Sequence, residues 1–191
     1  MNENHALCAT PEWAEFMHRD VLGPLLSDLE LGAEMLEIGP GPGAATEWLR
    51  HRVGRLVALE VDPQAAEQLA RRFPDSNVEV VVGDASHLEF ADESFDSVGT
   101  FTMLHHLPSA AVQNAVLSEA LRVLRPGGLL VGSDSLASTG LHDFHAGDTY
   151  NPVEASGLLT RLQTIGYAAV TVSVDYDLRF VARKASPDDE R

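Results

Sequence analysis

Glu37-Ile38-Gly39-Pro40-Gly41-Pro42-Gly43 follows the apolar pair Met35-Leu36 and precedes a stretch of helical character. Glycines at alternate positions leave one edge of this turn without Cβ atoms, so backbone N–H groups can approach a ligand and the chain can adopt positive φ. Pro40 and Pro42 fix φ between the glycines and reduce the entropy lost when the loop is ordered. The stretch therefore predicts a strand, a cofactor-binding loop and a helix in succession.

The loop alone fits two classes of cofactor. Gly39, Gly41 and Ala44 satisfy the dinucleotide pattern of two glycines and a third small residue, and Glu60 lies near the ~20-residue offset of a ribose-binding acid. Glu37, however, would repel a pyrophosphate, whereas it would attract a ligand that carries an ammonium and a sulfonium. The acid favours S-adenosylmethionine, with a nicotinamide-linked oxidoreductase as the alternative.

Composition narrows the class of protein. The 191 residues, of which 45% are hydrophobic, are sufficient for one domain with its own core, but not for the second substrate domain that a nicotinamide dehydrogenase usually needs. A formal net charge of −16 argues against a nucleic-acid partner, because such binding neutralises phosphates with basic residues. Cys8 is the only cysteine, so no intramolecular disulfide can form.

The sequence gives no sign of a membrane or secretory segment. Residues 1–10 lack the basic start and apolar stretch of a signal peptide, and no run approaches the roughly 20 apolar residues of a membrane span. We therefore expect no membrane span and a cytoplasmic location.

Strand-like and helix-like stretches alternate along most of the chain, which predicts an α/β fold: a single Rossmann-like, doubly wound domain with helices on both faces of the sheet. The expected strands cover residues 34–38, 55–61, 78–83, 95–101, 129–133, 168–174 and 178–182. We expect a helical cap segment over residues 1–30, a cofactor-binding domain over 31–184 and a disordered tail over 185–191.

Two connecting segments carry specific expectations. The helix that begins at Pro11 is expected to be interrupted at Gly23-Pro24. Residues 135–150 are rich in turn-forming residues without helical periodicity, and loops of this length are often functional lids.

With its strands placed, the chain resembles the class I S-adenosylmethionine-dependent methyltransferases, specifically the small-molecule type related to ubiquinone and menaquinone C-methyltransferases. The resemblance covers roughly residues 35–182 and depends on an ordered set of motifs, each of which is weak alone. They are Glu37 to Gly43, Glu60, Gly83-Asp84-Ala85, Phe95-Asp96, His105-His106-Leu107 and Leu124-Arg125-Pro126-Gly127-Gly128. The family fold is a seven-stranded sheet with an antiparallel last strand.

The resemblance also implies which residues bind the cofactor. Glu60 would accept hydrogen bonds from both ribose hydroxyls, and Asp84 would bind the adenine amino group beside the Ala85 backbone. Asp96 is expected to serve strand geometry instead of ligand binding. The full set of cofactor residues implied is Glu37, Gly39, Gly41, Gly43, Glu60, Asp84, Ala85 and Phe101.

The acceptor side is less determined by the sequence. His105 and His106 follow the fourth strand, where either could act as general base for a phenol or enol, although the family carries histidine here with unrelated acceptors. Asp143, His145 and Tyr150 in the expected lid are our acceptor-side candidates. His5 and Cys8 could close over the cofactor from the other side or belong to a loosely ordered terminus. No metal site is predicted.

Together these features predict an enzyme that transfers a methyl group from S-adenosylmethionine to a carbon or oxygen of a small, apolar acceptor. Few dedicated catalytic residues are needed, since methyl transfer depends mainly on positioning the partners and excluding water. The alternatives are the NAD-dependent oxidoreductase and a non-catalytic S-adenosylmethionine-binding protein. The acceptor pocket is expected to be shallow, and a homodimer could complete it.

Overall fold

The structure, a computed structural model, describes residues 3–187; residues 188–191 of the expected disordered tail lie outside this range. The strands are β1 (Glu34–Ile38), β2 (Arg55–Glu60), β3 (Val78–Val82), β4 (Phe95–Phe101), β5 (Leu124–Asp134), β6 (Tyr167–Val174) and β7 (Leu178–Lys184). The α-helices are α1 (Pro11–Phe16), α2 (Gly23–Leu26), α3 (Ala44–Leu49), α4 (Pro63–Arg72), α5 (Ala110–Val123), α6 (Thr139–Phe144) and α7 (Ala155–Ile165). Glu3–Ala9 and Leu104–His106 form 3₁₀ helices, and Met17–Leu22 forms a π-helical segment between α1 and α2.

All seven strands join one sheet in the order β3-β2-β1-β4-β5-β7-β6. The strands β1 to β5 run parallel to one another, while β7 is antiparallel to both β5 and β6. This arrangement confirms the predicted seven-stranded sheet with an antiparallel last strand. The strand order reverses between β1 and β4, and in open α/β sheets a crevice at such a reversal is the usual ligand site.

Apolar side chains cover both faces of the sheet. On one face, Leu36 and Val98 pack in a core with Val116 of α5 and other residues of α5 and α7. On the other, Met35 and Val131 pack with residues of the N-terminal helical segment and α3. Strands buried on both sides need apolar residues at successive positions, which explains the short runs that the sequence shows. Helices on both faces are therefore confirmed.

The predicted interruption at Gly23-Pro24 is wrong, since the chain stays helical from α1 through α2. In the π-helical segment the Gly23 N–H donates to the carbonyl of His18, five residues back. Pro24 then falls in the first turn of α2, where its missing N–H has little cost. The wider turn thus accommodates a proline that would otherwise end the helix.

The prediction that residues 135–150 lack a helix is also wrong. Ser138 caps α6, accepting a hydrogen bond from the Leu141 N–H at 3.2 Å. The predicted fifth strand is too short, because β5 begins at Leu124 opposite Phe95 and continues after an irregularity in register.

Candidate active site

Glu37 lies at the centre of the sheet, near the carboxyl end of β1. Only 1% of its surface is exposed, and its Oε2 accepts a hydrogen bond from the Thr46 hydroxyl at 2.7 Å. Burial raises the pKa of Glu37 to about 7, Thr46 opposes this shift, and the charge of nearby Glu60 adds to it. A carboxyl group in this state becomes fully charged when a cation binds beside it.

The loop after β1 has the positive φ angles that its glycines predict. Gly39, Gly41 and Gly43 have φ values of +68°, +52° and +86°. A Cβ built on Gly41 would meet no atom within 4 Å, so the backbone there faces open space. A Cβ on Gly43 would lie 2.6 Å from Cδ1 of Leu69 in α4. One glycine is therefore available to a ligand, while the other permits the loop to pack on the domain.

The two further acids expected to bind the cofactor lie at neighbouring strand ends. Glu60 is the buried last residue of β2, and its Oε1 accepts a hydrogen bond from the Asp62 N–H at 3.1 Å. Asp84 is exposed two residues beyond β3, and its Oδ1 accepts from the N–H and the hydroxyl of Ser86, both at 2.8 Å. These hydrogen bonds, the backbone one first, lower the pKa of Asp84.

Ala85 and Phe101 complete the set of residues implied by the resemblance. Ala85 is half-buried against the core, and Phe101 is the buried last residue of β4. The Met103 side chain lies over Gly39, where its Cγ would be 2.2 Å from an added Cβ. The structure thus brings the expected cofactor residues to the ends of β1 to β4; their contacts with a ligand stay a prediction.

These groups fit S-adenosylmethionine better than a pyrophosphate. The buried carboxyl of Glu37 and the buried Glu60 beside it favour a positively charged ligand. The open backbone at Gly41 leaves room for that ligand to approach the loop closely.

A buried His–Asp pair joins the 3₁₀ helix after β4 to the last residue of β5. Nδ1 of His105 is 2.6 Å from Oδ1 of Asp134, and the two residues are 4% and 1% exposed. The Asp134 carboxylate also accepts backbone hydrogen bonds from His105 and Ser135. Sequence reasoning missed Asp134, although an acid at the end of a parallel strand, as at Glu60, was a usable signal.

Several of the acceptor-side candidates meet around this pair. The ring of His145 lies 5.0 Å from that of His105 and stacks on Tyr150 at 4.6 Å, measured between centroids. The ring of His106 lies 4.2 Å from that of His105. Burial, followed by the neighbouring histidines, lowers the pKa of His106 to about 3.

Asp143 is not brought into this group. Its side chain is 76% exposed, and its carboxylate lies 3.7 Å from Nδ1 of the equally exposed His142. The helix α6 turns both residues outward, whereas His145, just after its last turn, faces inward.

Two cavities flank the site. The smaller, of about 290 Å³, lies beside Asp134 and has mainly apolar walls that include Trp13, Phe16, Leu136 and Leu141. The larger, of about 670 Å³, lies between the N-terminal segment and the start of α3, with Cys8 in its wall. Glu60 and Asp84 line neither cavity, whereas Asp134 lines the smaller one.

The fold and these strand-end acids define a Rossmann-like methyltransferase domain. The family described as a methyltransferase domain matches residues 36–132, about half of the chain. The chain therefore belongs to this family, and its domain uses S-adenosylmethionine, which confirms the predicted cofactor.

Relatives and solved structures agree with this assignment. The methyltransferase GfsG of Streptomyces halstedii is 32% identical over 61% of this chain and 42% of its own length. The 2-methyl-6-phytyl-1,4-hydroquinone methyltransferase of Synechocystis is 32% identical over 63% of this chain and 37% of its own length. The chain thus spans about two fifths of these relatives. The PH0226 protein of Pyrococcus horikoshii shares the fold, with a TM-score of 0.76 and 17% identity over 96% of this chain and 99% of that one.

Among residues 3–187, the structure has no helix of the length and apolar character needed to cross a membrane.

Proposed function

We propose that the protein methylates an oxygen, or a carbon activated by an adjacent oxygen, of a small apolar acceptor such as a phenol or hydroquinone. The observation that carries this proposal is the buried contact of 2.6 Å between Nδ1 of His105 and Oδ1 of Asp134, together with the place of Asp134 in the wall of the smaller, mainly apolar cavity. The Synechocystis relative, a hydroquinone methyltransferase by name, supports this acceptor class.

Asp134 selects the form of the imidazole that can act as a base. An aspartate that accepts from Nδ1–H leaves the lone pair on Nε2 of His105, and it also stabilises the imidazolium that forms when the base takes a proton. The carboxylate is itself held by backbone N–H groups, so its orientation is fixed before the acceptor arrives.

The proposed step begins at the acceptor hydroxyl. Nε2 of His105 takes its proton, and the electron pair that remains lies on the oxygen or is delocalised onto a neighbouring carbon. S-adenosylmethionine supplies a methyl group bonded to a positively charged sulfur. The acceptor's electron pair forms the new bond to that methyl group as the C–S bond breaks, and sulfur keeps the bonding pair. For a carbon acceptor, water then takes the proton of the methylated carbon, and the His105 imidazolium returns its proton to the acceptor oxygen.

The cavity walls support an apolar acceptor. Trp13, Phe16 and Leu136 provide surfaces on which an aromatic ring or an alkyl chain can pack, whereas a phosphate-rich ligand would meet an acidic protein. We therefore propose that the protein does not act on a nucleic acid. The cytoplasmic location and the homodimer stay predictions.

The test uses phenols of graded acidity with His105→Gln and Asp134→Asn. We expect kcat/KM for a weakly acidic phenol to fall about 10²- to 10⁴-fold in His105→Gln, because general-base catalysis contributes roughly that much. For a phenol already ionised in the assay, the loss should shrink to a few-fold, because no proton has to be removed. Asp134→Asn should show the same trend.

His142→Ala, which removes an exposed histidine of α6, is the matched control and should leave the rates unchanged. Binding of S-adenosylhomocysteine should be retained in all variants. A loss that is equal for every phenol would show that His105 only shapes the pocket. Cofactor binding with no turnover of any phenol, hydroquinone or fatty acid would instead favour the non-catalytic alternative.

A further inference from the structure

Three histidines from distant parts of the sequence form a compact group. His5 lies on the 3₁₀ helix Glu3–Ala9, His106 on the 3₁₀ helix after β4, and His145 just after α6. Each pair of rings is 5.1 Å apart between centroids, so the three imidazoles form a nearly equilateral triangle. One ring nitrogen of each lies within 4.8 Å of those of the other two.

From this geometry we propose that His5, His106 and His145 bind a divalent transition-metal ion, of which Zn²⁺ is the best fit. Imidazole nitrogen suits Zn²⁺, Co²⁺ and Ni²⁺, and three histidines with one open position are a known arrangement for zinc. Ligand bonds of about 2.0–2.1 Å require the nitrogens to come closer together than 4.8 Å, which small rotations of the rings would achieve.

His145 presents a buried ring nitrogen that a metal ion could bind. Its Nδ1 lies 2.7 Å from the carbonyl oxygen of Leu141, a contact that places the ring proton on Nδ1. Its Nε2 is buried and has no hydrogen-bond partner within residues 3–187, although the residue is only 3% exposed. An unpaired buried nitrogen costs free energy, and a metal ion would use its lone pair.

His5 has an acid placed to orient it. Its Nδ1 lies 3.7 Å from Oδ2 of Asp148, and both side chains are largely buried. A carboxylate beside one ring nitrogen of a metal-binding histidine typically fixes the ring orientation and strengthens the other nitrogen as a ligand. The group thus contains both ligands and a supporting acid.

The described residues provide three ligands to the group, so a tetrahedral ion would keep a fourth position for water or an acceptor oxygen. His106 and His145 also lie beside the His105 ring, so the ion would border the proposed acceptor site. It would tie the N-terminal segment, through His5, to two segments that are about 100 and 140 residues further along the chain.

The test is titration of the full chain, without a polyhistidine tag and after treatment with a chelator, with Co²⁺ alone. We expect one equivalent of Co²⁺ to bind and to give the visible d–d absorption of a four-coordinate nitrogen site. His145→Ala and His106→Ala should each weaken binding at least about 10- to 100-fold, the range found even for loss of a supporting group. Zn²⁺ should displace the cobalt and remove its colour.

Thermal unfolding gives a second measurement. Zn²⁺ should raise the Tm of the wild type, since an ion that binds only the folded state stabilises it, and should leave the Tm of His5→Ala unchanged. The exposed His142→Ala is the control and should behave as the wild type. Retained binding of S-adenosylhomocysteine by each variant would show that it is folded.

Absence of Co²⁺ binding would overturn the proposal. Binding that survives all three substitutions, or that His142→Ala removes, would place the ion at the surface and would also overturn it. Neither outcome depends on methyl transfer, so the metal site and the proposed acceptor class can fail separately.

Discussion

At the scale of single residues, Glu37 combines two demands that are usually in conflict. It is buried in the sheet, which disfavours its charge, and it lies near the carboxyl end of β1, where a cationic ligand is expected. Burial raises its pKa to about 7, so near neutral pH the side chain exchanges readily between its neutral and charged forms. Part of the ligand affinity therefore comes from the relief of this unfavourable burial, because a bound cation stabilises the charged carboxylate of Glu37.

This pKa shift predicts a pH dependence of stability. Between the ordinary value of 4.5 and about 7, folded Glu37 holds a proton that the unfolded chain releases. Its contribution to the free energy of unfolding is therefore complete below pH 4.5 and is lost as the pH rises through 7. Glu37→Gln removes this loss, so the variant should gain up to about 3 kcal/mol relative to the wild type between pH 5 and pH 8.

Urea unfolding of both proteins at the two pH values measures this difference. Calorimetry adds a second readout, because binding of S-adenosylhomocysteine, through its ammonium, should release protons in the wild type and not in Glu37→Gln. A constant difference in stability at the two pH values would contradict the assignment of the pKa near 7 to Glu37.

The glycine loop gives a second prediction at this scale. Gly43→Ala would place a Cβ 2.6 Å from Cδ1 of Leu69 at a φ of +86°. Gly147→Ala is a matched control, since its φ is +79° and its Cβ would meet nothing within 4 Å. We expect a loss of about 1–2 kcal/mol in the control from backbone strain, and about 1–3 kcal/mol more in Gly43→Ala from overlap.

Chemical denaturation of the two variants provides this comparison. Equal losses would mean that Leu69 moves aside without cost, and the close packing of the loop on α4 would then have no energetic role.

At the scale of secondary-structure elements, Asp96 joins the beginnings of three strands. Its Oδ2 accepts hydrogen bonds from the N–H groups of Ala33 and Glu34 at the start of β1, both at 2.9 Å. Its Oδ1 accepts one at 2.6 Å from Arg125 of β5. These contacts lie at the end of the sheet opposite the cofactor loop, which supports the expectation that Asp96 serves strand geometry.

Asp96→Ala should lower the free energy of unfolding by about 1.5–3 kcal/mol, because two backbone donors lose a charged acceptor. Arg125→Ala, which removes the partly exposed ion pair but leaves both backbone N–H groups bonded, should cost less than about 1 kcal/mol. Thermal unfolding measures both, and binding of S-adenosylhomocysteine below the Tm should be unaffected. Weaker cofactor binding in folded Asp96→Ala would show that this residue also shapes the ligand site.

Elements also show where local sequence signals succeed and fail. The break predicted at Gly23-Pro24 was wrong because a π-helical segment, whose Val21 and Leu22 pack in the core, joins α1 to α2. The helix α6 was missed because six residues are too few to show periodicity, although Ser138 carried the signal of an N-cap.

At the scale of the whole molecule, the sheet could be predicted because each strand and helix is signalled by residues that are close together in the sequence. Each strand shows a run of apolar residues bounded by turns, and the alternation with helices determines the layers. The loop from Glu37 to Gly43 was recognisable for the same reason, since its ligand-facing residues are consecutive. The acids Glu60 and Asp84 needed only their positions at strand ends.

The acceptor side could not be predicted in the same way. The contact between His105 and Asp134 exists because β4 and β5 are neighbours, and the contact between His5 and His145 joins residues 140 positions apart. Such pairs depend on the strand order and on how the N-terminal segment folds over the sheet. No spacing in the sequence encodes them, so they could be found only in the assembled molecule.

The position of β7 between β5 and β6 has a consequence for biosynthesis. During translation, β6 emerges from the ribosome before the strand that must separate it from β5, so it has no permanent neighbour until Lys184 has been made. Until then the nascent chain exposes the open edge of β5, an attractive target for chaperones or for another unfinished chain. Of the seven strands in this sheet, β7 is thus synthesised after the others and fills the gap between β5 and β6.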